Sequence, residues 1–370
     1  MTDASPSKSP DLTTKEGLLK HLGAKHGHIQ SVHVLTGGTA NFVYRVTFTD
    51  RTPIICKHAA TYLSSNTNFS FDSARMDYEA RALRHIPAFQ SQDLKSVSAV
   101  RIFDYDPVAK LLTMDDGGES NLKEAYTDLS LDVKQIAHAL ATWLANLHVR
   151  TREFSLNLDA GMETSQNNNN PIAVAIYRHS YQNLHHALAK FGFDTALANQ
   201  INEKYGSLLA HDDECVVMGD FWPGNVLVKS SDVDNSTGLT QSNLTVVDWE
   251  MVRRGTSATD VAQFAAEAFL LDTYRGNRSL RANFLTAYFR ARGNDPRLNR
   301  EWIKRLAVHW AVHIAFWPTR VHWTDDAGTK KLVETGINVL KAVVDDDMDF
   351  VGKSELFRGV EKWEQVLTRS

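Results

Sequence analysis

Asp220 and Asn225 stand five positions apart in the stretch Gly219-Asp220-Phe221-Trp222-Pro223-Gly224-Asn225, and Asp248-Trp249-Glu250 follows the apolar run Leu244 to Val247. A carboxylate placed to orient a hydroxyl, with an amide and further carboxylates to hold a divalent cation, is the set that phosphoryl transfer from a metal nucleotide requires. That transfer has a loose transition state, so a protein serves it mainly by positioning donor and acceptor and neutralising charge. Asp220 would accept the acceptor's proton or orient its hydroxyl. Asn225 would supply a hard oxygen, and Asp248, with Glu250, would hold the metal. Each of these residues alone is also an ordinary turn former or strand end. The combination of D-x-x-x-x-N, an apolar strand and D-x-E is what points to catalysis.

A hairpin must bring these groups to one place. Val216-Val217-Met218 reads as a strand delivering Gly219-Asp220 into a loop, and Val226-Leu227-Val228 as the strand that leaves it. After a polar tip from Lys229 to Ser242, the run Leu244 to Val247 returns, so the catalytic hairpin is expected over residues 216–250.

A second charged residue needs a partner. Lys57 ends the apolar strand Ile54-Ile55-Cys56-Lys57, a poor place for a cation unless something anionic meets it. A phosphate would serve, and Glu79, on a helix expected from Phe71 to Ile86, Asp77 and Glu16 are acids that could meet it. Upstream lie a helix from Thr14 to His26 and three strand-like runs, Ser31 to Leu35, Asn41 to Thr49 and Thr52 to Lys57. The turn from Thr36 carries Gly37, Gly38 and Asn41, whose backbone N–H groups could face phosphates because glycine admits close approach; the same residues are ordinary hairpin chemistry. The polar and aromatic stretch Ala60 to Ser70 reads as a mobile insert. Strands from Ala99 to Asp104 and Lys110 to Met114 end at Asp115-Asp116-Gly117-Gly118, which reads as a hinge where backbone groups near Met114 to Asp116 would read an adenine.

The remainder is mainly helical, beginning with Asp132 to about Arg150, whose apolar face carries Ile136, Leu140, Trp143, Leu144 and Leu147. Further helices are expected near Pro171 to Phe191, Asp194 to His211, from Thr259-Asp260, and over Arg278 to Arg292, Arg300 to Trp317 and Gly328 to Val344. Asp260 is placed to cap its helix and brace the catalytic loop. His148 reads as a packed, hydrogen-bonded histidine. His309 and His313 have metal-pair spacing but lack an accompanying acid and third ligand, so they too read as packing. The fold class expected is α+β and bilobal. A tail at residues 1–12 is expected to be disordered, followed by a small antiparallel-sheet lobe at 13–115 and a larger, mainly helical lobe at 116–370.

With 43% hydrophobic residues in 370, the chain has enough apolar material for two cored lobes. A net charge of -4 gives no electrostatic footprint for nucleic acid or an anionic membrane. The first eleven residues are polar and rich in Pro and Ser, and no apolar run reaches spanning length, so a cytoplasmic protein without a membrane partner is expected, as monomer or homodimer. Cys56 and Cys215 each sit in an apolar run and read as buried reduced thiols.

GDFWPGNVLV and VVDWE resemble the catalytic and metal motifs of the aminoglycoside phosphotransferase and choline kinase superfamily, the small-molecule branch of the protein-kinase-like fold. The likeness runs from about Leu35 to Trp323. Within it, TGGTANFVYRV, IICKHA, the D-W-E motif and HIAFW are most similar to methylthioribose kinases and fungal 4-hydroxytryptamine kinases. Asn225 and Trp249 stand where methylthioribose kinases carry Ser and Pro. The resemblance implies ATP and magnesium as cofactors, with Lys57 on the donor's phosphates and Glu79 orienting it. The expected reaction is transfer of the γ-phosphate to a hydroxyl of a small metabolite, with an aromatic amine ahead of methylthioribose, another sugar or an amino alcohol. A nucleotide-binding pseudokinase scaffold is the alternative from another class. A protein kinase would need H-R-D, D-F-G and A-P-E elements and a long activation segment, for which the span from Trp249 to Asp260 is too short. Trp222 lies inside the catalytic loop, and Trp302, Trp310, Trp317 and Trp323 fall in the helical lobe. Trp222, Trp317 and Trp323 are the candidates to line an acceptor site. With carboxylates such as Glu267, Asp272, Asp325 and Asp326 they would suit a flat or cationic acceptor. Core packing is the other reading, and Trp310 with Trp317 fits it.

Overall fold

The structure, a computed structural model, describes residues 9–23, 28–90, 96–156, 169–233 and 240–369. Expectations for residues 1–8, for the helix end at His26 and for the middle of the hairpin tip lie outside the described residues. The chain divides into two compact units, residues 1–84 with 100–116, and residues 85–99 with 117–370.

The first unit is built on a five-stranded antiparallel sheet in the order Ile29–Leu35, Phe42–Phe48, Ile54–His58, Leu111–Asp115, Ile102–Asp106. Alternation in the second strand sends Tyr44, Val46 and Phe48 inward, where they meet Leu18 and Leu22 of the short helix Lys15–Leu22. Leu12 is also buried in this cluster, and its carbonyl accepts a hydrogen bond from the Tyr44 hydroxyl at 3.0 Å. The strand Ile54–His58 is central and buried along its length to Lys57, which explains its near-continuous apolar sequence. The stretch expected to be a mobile insert contains a short hairpin, Tyr62–Leu63 with Asn66–Ser70. Its tip is strapped to the glycine turn: the Ser64 and Ser65 backbone N–H groups donate to Ala40 and Thr39 carbonyls, and both hydroxyls donate to Thr39. Its polar composition therefore serves hydrogen bonds and solvent contact. The next helix begins at Arg75, later than Phe71, and ends at His85 ahead of the short 3-10 turn containing Pro87.

The second unit is mainly helical. Helix Val133–Arg150 packs on Leu280–Arg292, and Arg300–Phe316 packs on both Ser257–Tyr274 and Asp326–Val344. Trp143, Trp249, Trp302 and Trp310 are core residues. The segment expected as one helix from Asp194 to His211 is broken into Ala196–Ile201, a π turn and a 3-10 turn. Strands Val226–Val233 and Thr240–Val246 form the expected hairpin, flanked by Ser120–Asn121 on one side and Val97–Ala99 on the other. Cys215–Val217 lies outside that sheet and pairs antiparallel with Arg253–Gly255. No helix among the described residues is long and apolar enough to cross a membrane.

Candidate active site

In the first unit, Lys57 Nζ donates to both Glu79 carboxylate oxygens, at 2.8 and 3.0 Å. Asp77, the rival partner, is instead engaged by Lys110 and by the Tyr105 hydroxyl. Gly37 has φ of 113°, a backbone that side chains rarely adopt, and a Cβ at Gly38 would meet nothing within 4 Å. Asn41 is buried beneath this turn, where its amide oxygen accepts from Arg75 Nη2 at 3.0 Å. The same guanidinium collects the carbonyls of Ala40, Ala60, Phe71 and Asp72, fixing the turn to the strand and helix that follow. Met114 is buried in the last residues of its strand, opposite Ile55, and Asp116 pairs with Arg45 at 2.6 Å.

In the second unit, Asp220 and Asn225 meet directly. The loop leaves its strand through Gly219, whose φ of 83° is left-handed and where a Cβ would come within 2.0 Å of the Met251 carbonyl oxygen. A 3-10 turn over Pro223–Asn225 then swings Asn225 back, so that its Nδ2 donates to the Asp220 carbonyl at 3.0 Å and to Asp220 Oδ2 at 2.9 Å. That leaves the amide oxygen as the atom Asn225 has to offer a cation. Gln263 Nε2 donates to the other carboxylate oxygen, Oδ1, at 2.6 Å.

Asp260 braces the loop as expected, with Oδ2 accepting from Met218 N at 2.7 Å and Oδ1 from Gly219 N at 2.9 Å. It does not cap its helix. Thr256 does so by accepting from Ala258 N, because the helix begins at Ser257 and Asp260 already lies in its first turn. Behind Asp260, His148 Nε2 lies 3.3 Å away and His148 Nδ1 lies 2.9 Å from the Tyr288 hydroxyl, a fully packed histidine. His309 likewise sits between the Tyr177 and Tyr181 hydroxyls, at 2.7 and 3.0 Å.

Asp248 has φ of 67°, a left-handed backbone that Asp and Asn tolerate better than most residues. One of its carboxylate oxygens lies within 4.8 Å of one from Glu250. Trp249, between them, is fully buried, donates to the Val246 carbonyl and packs edge-on against Trp143, so the two acids are held on a rigid corner. Burial, followed by the Asp248 carboxylate, pushes the Asp220 carboxyl up to about 7; Gln263 and Asn225 pull it down by hydrogen bonding, and Glu250 adds to the rise. An amide and two carboxylates at Asn225, Asp248 and Glu250 are hard oxygen donors that suit a small divalent cation.

Trp222 and Trp323 meet the same cation: Lys123 Nζ lies 5.0 Å from the centre of the first ring and 4.5 Å from the second. Trp317 lies beside His313, with ring centres 6.2 Å apart, and is 37% exposed.

Gln263 and Lys123 are the residues that sequence reasoning did not single out. A signal for Gln263 exists: Asp260, Gln263 and Glu267 recur at helical spacing within the otherwise apolar Val261-Ala262, Phe264-Ala265-Ala266 and Ala268-Phe269-Leu270-Leu271. Polar groups on a buried helix require partners, and here the partners are the catalytic loop and its surroundings.

A five-stranded sheet unit with a paired lysine and glutamate, and a helical unit with an Asp-Asn loop and a D-x-E corner, define a kinase of the protein-kinase-like class. Residues 31–302 match the phosphotransferase enzyme family (APH), and the chain belongs to that family. It is 27% identical over 357 residues to the 4-hydroxytryptamine kinase of Psilocybe cyanescens, spanning 91% of this chain and 95% of that protein. To the 4-hydroxytryptamine kinase of Psilocybe cubensis it is 24% identical over 343 residues, spanning 88% and 92%. A solved amicoumacin kinase in complex with AMP-PNP and Ca2+ shares the fold, with a TM-score of 0.52 at 12% identity, covering 90% of this chain and 94% of that one. The protein is thus an ATP-dependent small-molecule phosphotransferase, and its chemistry employs a divalent metal.

Proposed function

We propose that this kinase phosphorylates the ring hydroxyl of a hydroxytryptamine-like aromatic amine, using magnesium as its metal. The observation that carries the reading is Trp222, an indole two residues from Asp220 in a loop whose carboxylate is fixed by Asn225 and Gln263. An aromatic ring stacked there presents its hydroxyl to a carboxylate already oriented. The likeness to two 4-hydroxytryptamine kinases over nearly the whole chain supports the same acceptor.

In this reading Asp220 orients the acceptor hydroxyl and takes its proton as that oxygen bonds to the γ-phosphorus and the bond from the phosphorus to the departing ADP breaks. Asn225 keeps that carboxylate turned toward the acceptor and, with Asp248 and Glu250, would hold magnesium. Bound there, the metal supplies positive charge to the phosphate oxygens. Lys57, oriented by Glu79, contacts the donor's phosphates, while the turn at Gly37 and Gly38 and the strand end at Met114 to Asp116 cradle the nucleotide; Asn41 secures that turn. Trp317 is assigned to the acceptor surface. Two buried, reduced cysteines suit a cytoplasmic enzyme, as monomer or homodimer.

A coupled ADP-release screen tests the acceptor. Hydroxytryptamines should be turned over with the highest kcat/KM among a set that includes methylthioribose, choline and aminoglycosides. Transfer to methylthioribose alone would reject the reading.

A further inference from the structure

The proposed acceptor carries an amine, and four carboxylates of the second unit are candidates to receive it. Three are otherwise engaged or remote from such a role. Asp272 accepts from the Tyr126 hydroxyl and from the backbone N–H groups of Leu280 and Arg281. Asp325 caps the Asp326–Val344 helix by accepting from Gly328 N at 2.8 Å. Asp326 has a side chain 92% exposed, with Lys190 Nζ at 3.9 Å.

Glu267 differs from all three. It is 7% exposed, and its Oε1 lies 2.8 Å from His313 Nε2. Its second oxygen, Oε2, is buried and has no hydrogen-bond partner among the described residues. Native proteins seldom leave a buried carboxylate oxygen without a donor, and a ligand group is one way to complete it. Its position supplies the second observation. Glu267 follows Gln263 by one helical turn on the helix Ser257–Tyr274, so both side chains leave the same face about 5–6 Å apart. Gln263 holds Asp220, the residue proposed to receive the hydroxyl.

The aromatic pair offers a contrast in charge. Trp222 and Trp323 already share the Lys123 ammonium, so a cationic amine placed on that pair would meet a like charge at short range. Cation occupancy beside the rings and donor vacancy at Glu267 orient the acceptor in the same sense.

We propose that Glu267 is the specificity residue for the acceptor's ammonium group, with Oε2 accepting a charge-assisted hydrogen bond from it while the hydroxyl faces Asp220. His313 is a positioning residue: by engaging Oε1 it determines which oxygen is presented. The assignment rests on the aromatic-amine reading above and adds a ranking to it. A primary ammonium, which has N–H groups to donate, is preferred over a quaternary one, which has none.

The test compares Glu267→Gln with the unaltered enzyme on 4-hydroxytryptamine and on 4-hydroxyindole, which keeps ring and hydroxyl but lacks the aminoethyl chain. The variant should raise KM for 4-hydroxytryptamine about ten- to hundredfold, with kcat within about threefold, since the lost contact is a hydrogen bond to charge. Kinetics on 4-hydroxyindole and the KM for ATP should move far less, and inhibition by tryptamine should weaken by the same factor as the KM change. Glu267→Asp, which keeps the charge but withdraws it by one methylene, should show a smaller selective rise and serves if the Gln variant does not fold. Equal losses on both acceptors, or an amine KM within twofold of the original, overturn the anchor. An unaltered enzyme that uses 4-hydroxyindole as well as 4-hydroxytryptamine overturns the anchor and leaves the phenol-kinase reading standing. Turnover of neither overturns both.

Discussion

Lys57 and Asp220 are both charged groups set into protein, and their charges are met in different ways. Lys57 is answered by a full opposite charge, with both oxygens of Glu79 on its ammonium and side-chain exposures of 7% and 0%. Asp220 is met by neutral amides from Asn225 and Gln263, while the nearby Asp248 and Glu250 carboxylates add negative charge. The first arrangement joins opposite charges. The second arrangement fixes the Asp220 carboxylate by hydrogen bonds and sets it beside like charges, which raise its pKa. The lysine pair is a part prepared in advance, whereas in the proposed mechanism the acids act with a cation that arrives with the nucleotide.

Four variants sharpen that contrast. Asp220→Asn removes the proposed proton acceptor and keeps the shape. Turnover should fall by at least about a hundredfold with nucleotide binding and melting temperature retained, and near-native kcat would remove Asp220 from the mechanism. Lys57→Met strands the Glu79 charge and should cost about 3–5 kcal/mol in urea unfolding, together with a raised ATP KM or lowered turnover. Combining it with Glu79→Leu should restore much of the stability without the activity; a single variant as stable as the parent would show that the pair is not a closed unit. Asp248→Asn should lessen the thermal shift given by magnesium-ATP while the fold persists, because Asn also accepts the left-handed backbone at 67°. An unchanged shift would count against the metal role. Gln263→Leu has the smallest expected effect, about a tenfold loss of kcat. Its hydrogen bond holds the Asp220 carboxyl down from the higher value that burial and Asp248 impose, so removing it raises the pH at which the carboxylate forms. The acid limb of the pH–rate profile should therefore move to higher pH, and an unmoved limb would show that Gln263 does not act on Asp220.

The hairpin and its D-x-x-x-x-N loop were legible because apolar strands bounded by turn residues carry a local signal. The partner of Lys57 was legible through the resemblance, since kinase-like folds orient such a lysine with a glutamate from the following helix, where Glu79 lies. Other features depend on long-range partners that a local pattern does not carry. Arg253-Arg254-Gly255 does not look like a strand, yet it pairs with Cys215–Val217. Arg254 is buried there because Asp213 and the carbonyls of Thr151, Arg152 and Phe154 satisfy it. The Tyr62–Leu63 and Asn66–Ser70 hairpin was hidden for the same reason: its fastening to Thr39 and Ala40 comes from elsewhere in the chain. Gln263 was visible only as a polar interruption of an apolar helix, and its meaning came from Asp220, distant in sequence.

The helix Ser257–Tyr274 acts as a graduated rule laid along the reaction coordinate. Asp260 sets the mouth of the loop, Gln263 sets the carboxylate, and Glu267 lies one turn farther on. Successive residues on such a rule are rotated by about 100°, so a single-residue deletion between Asp260 and Gln263 would swing every later mark off the scale together. Point substitution has the opposite reach. Position 267 is hydrogen-bonded to His313, whereas Asp260 and Gln263 bond to the loop, so it can change while the marks at 260 and 263 stay fixed. A lineage could thus exchange one acceptor for another at the far end of the helix while the near end continues to do the same chemistry.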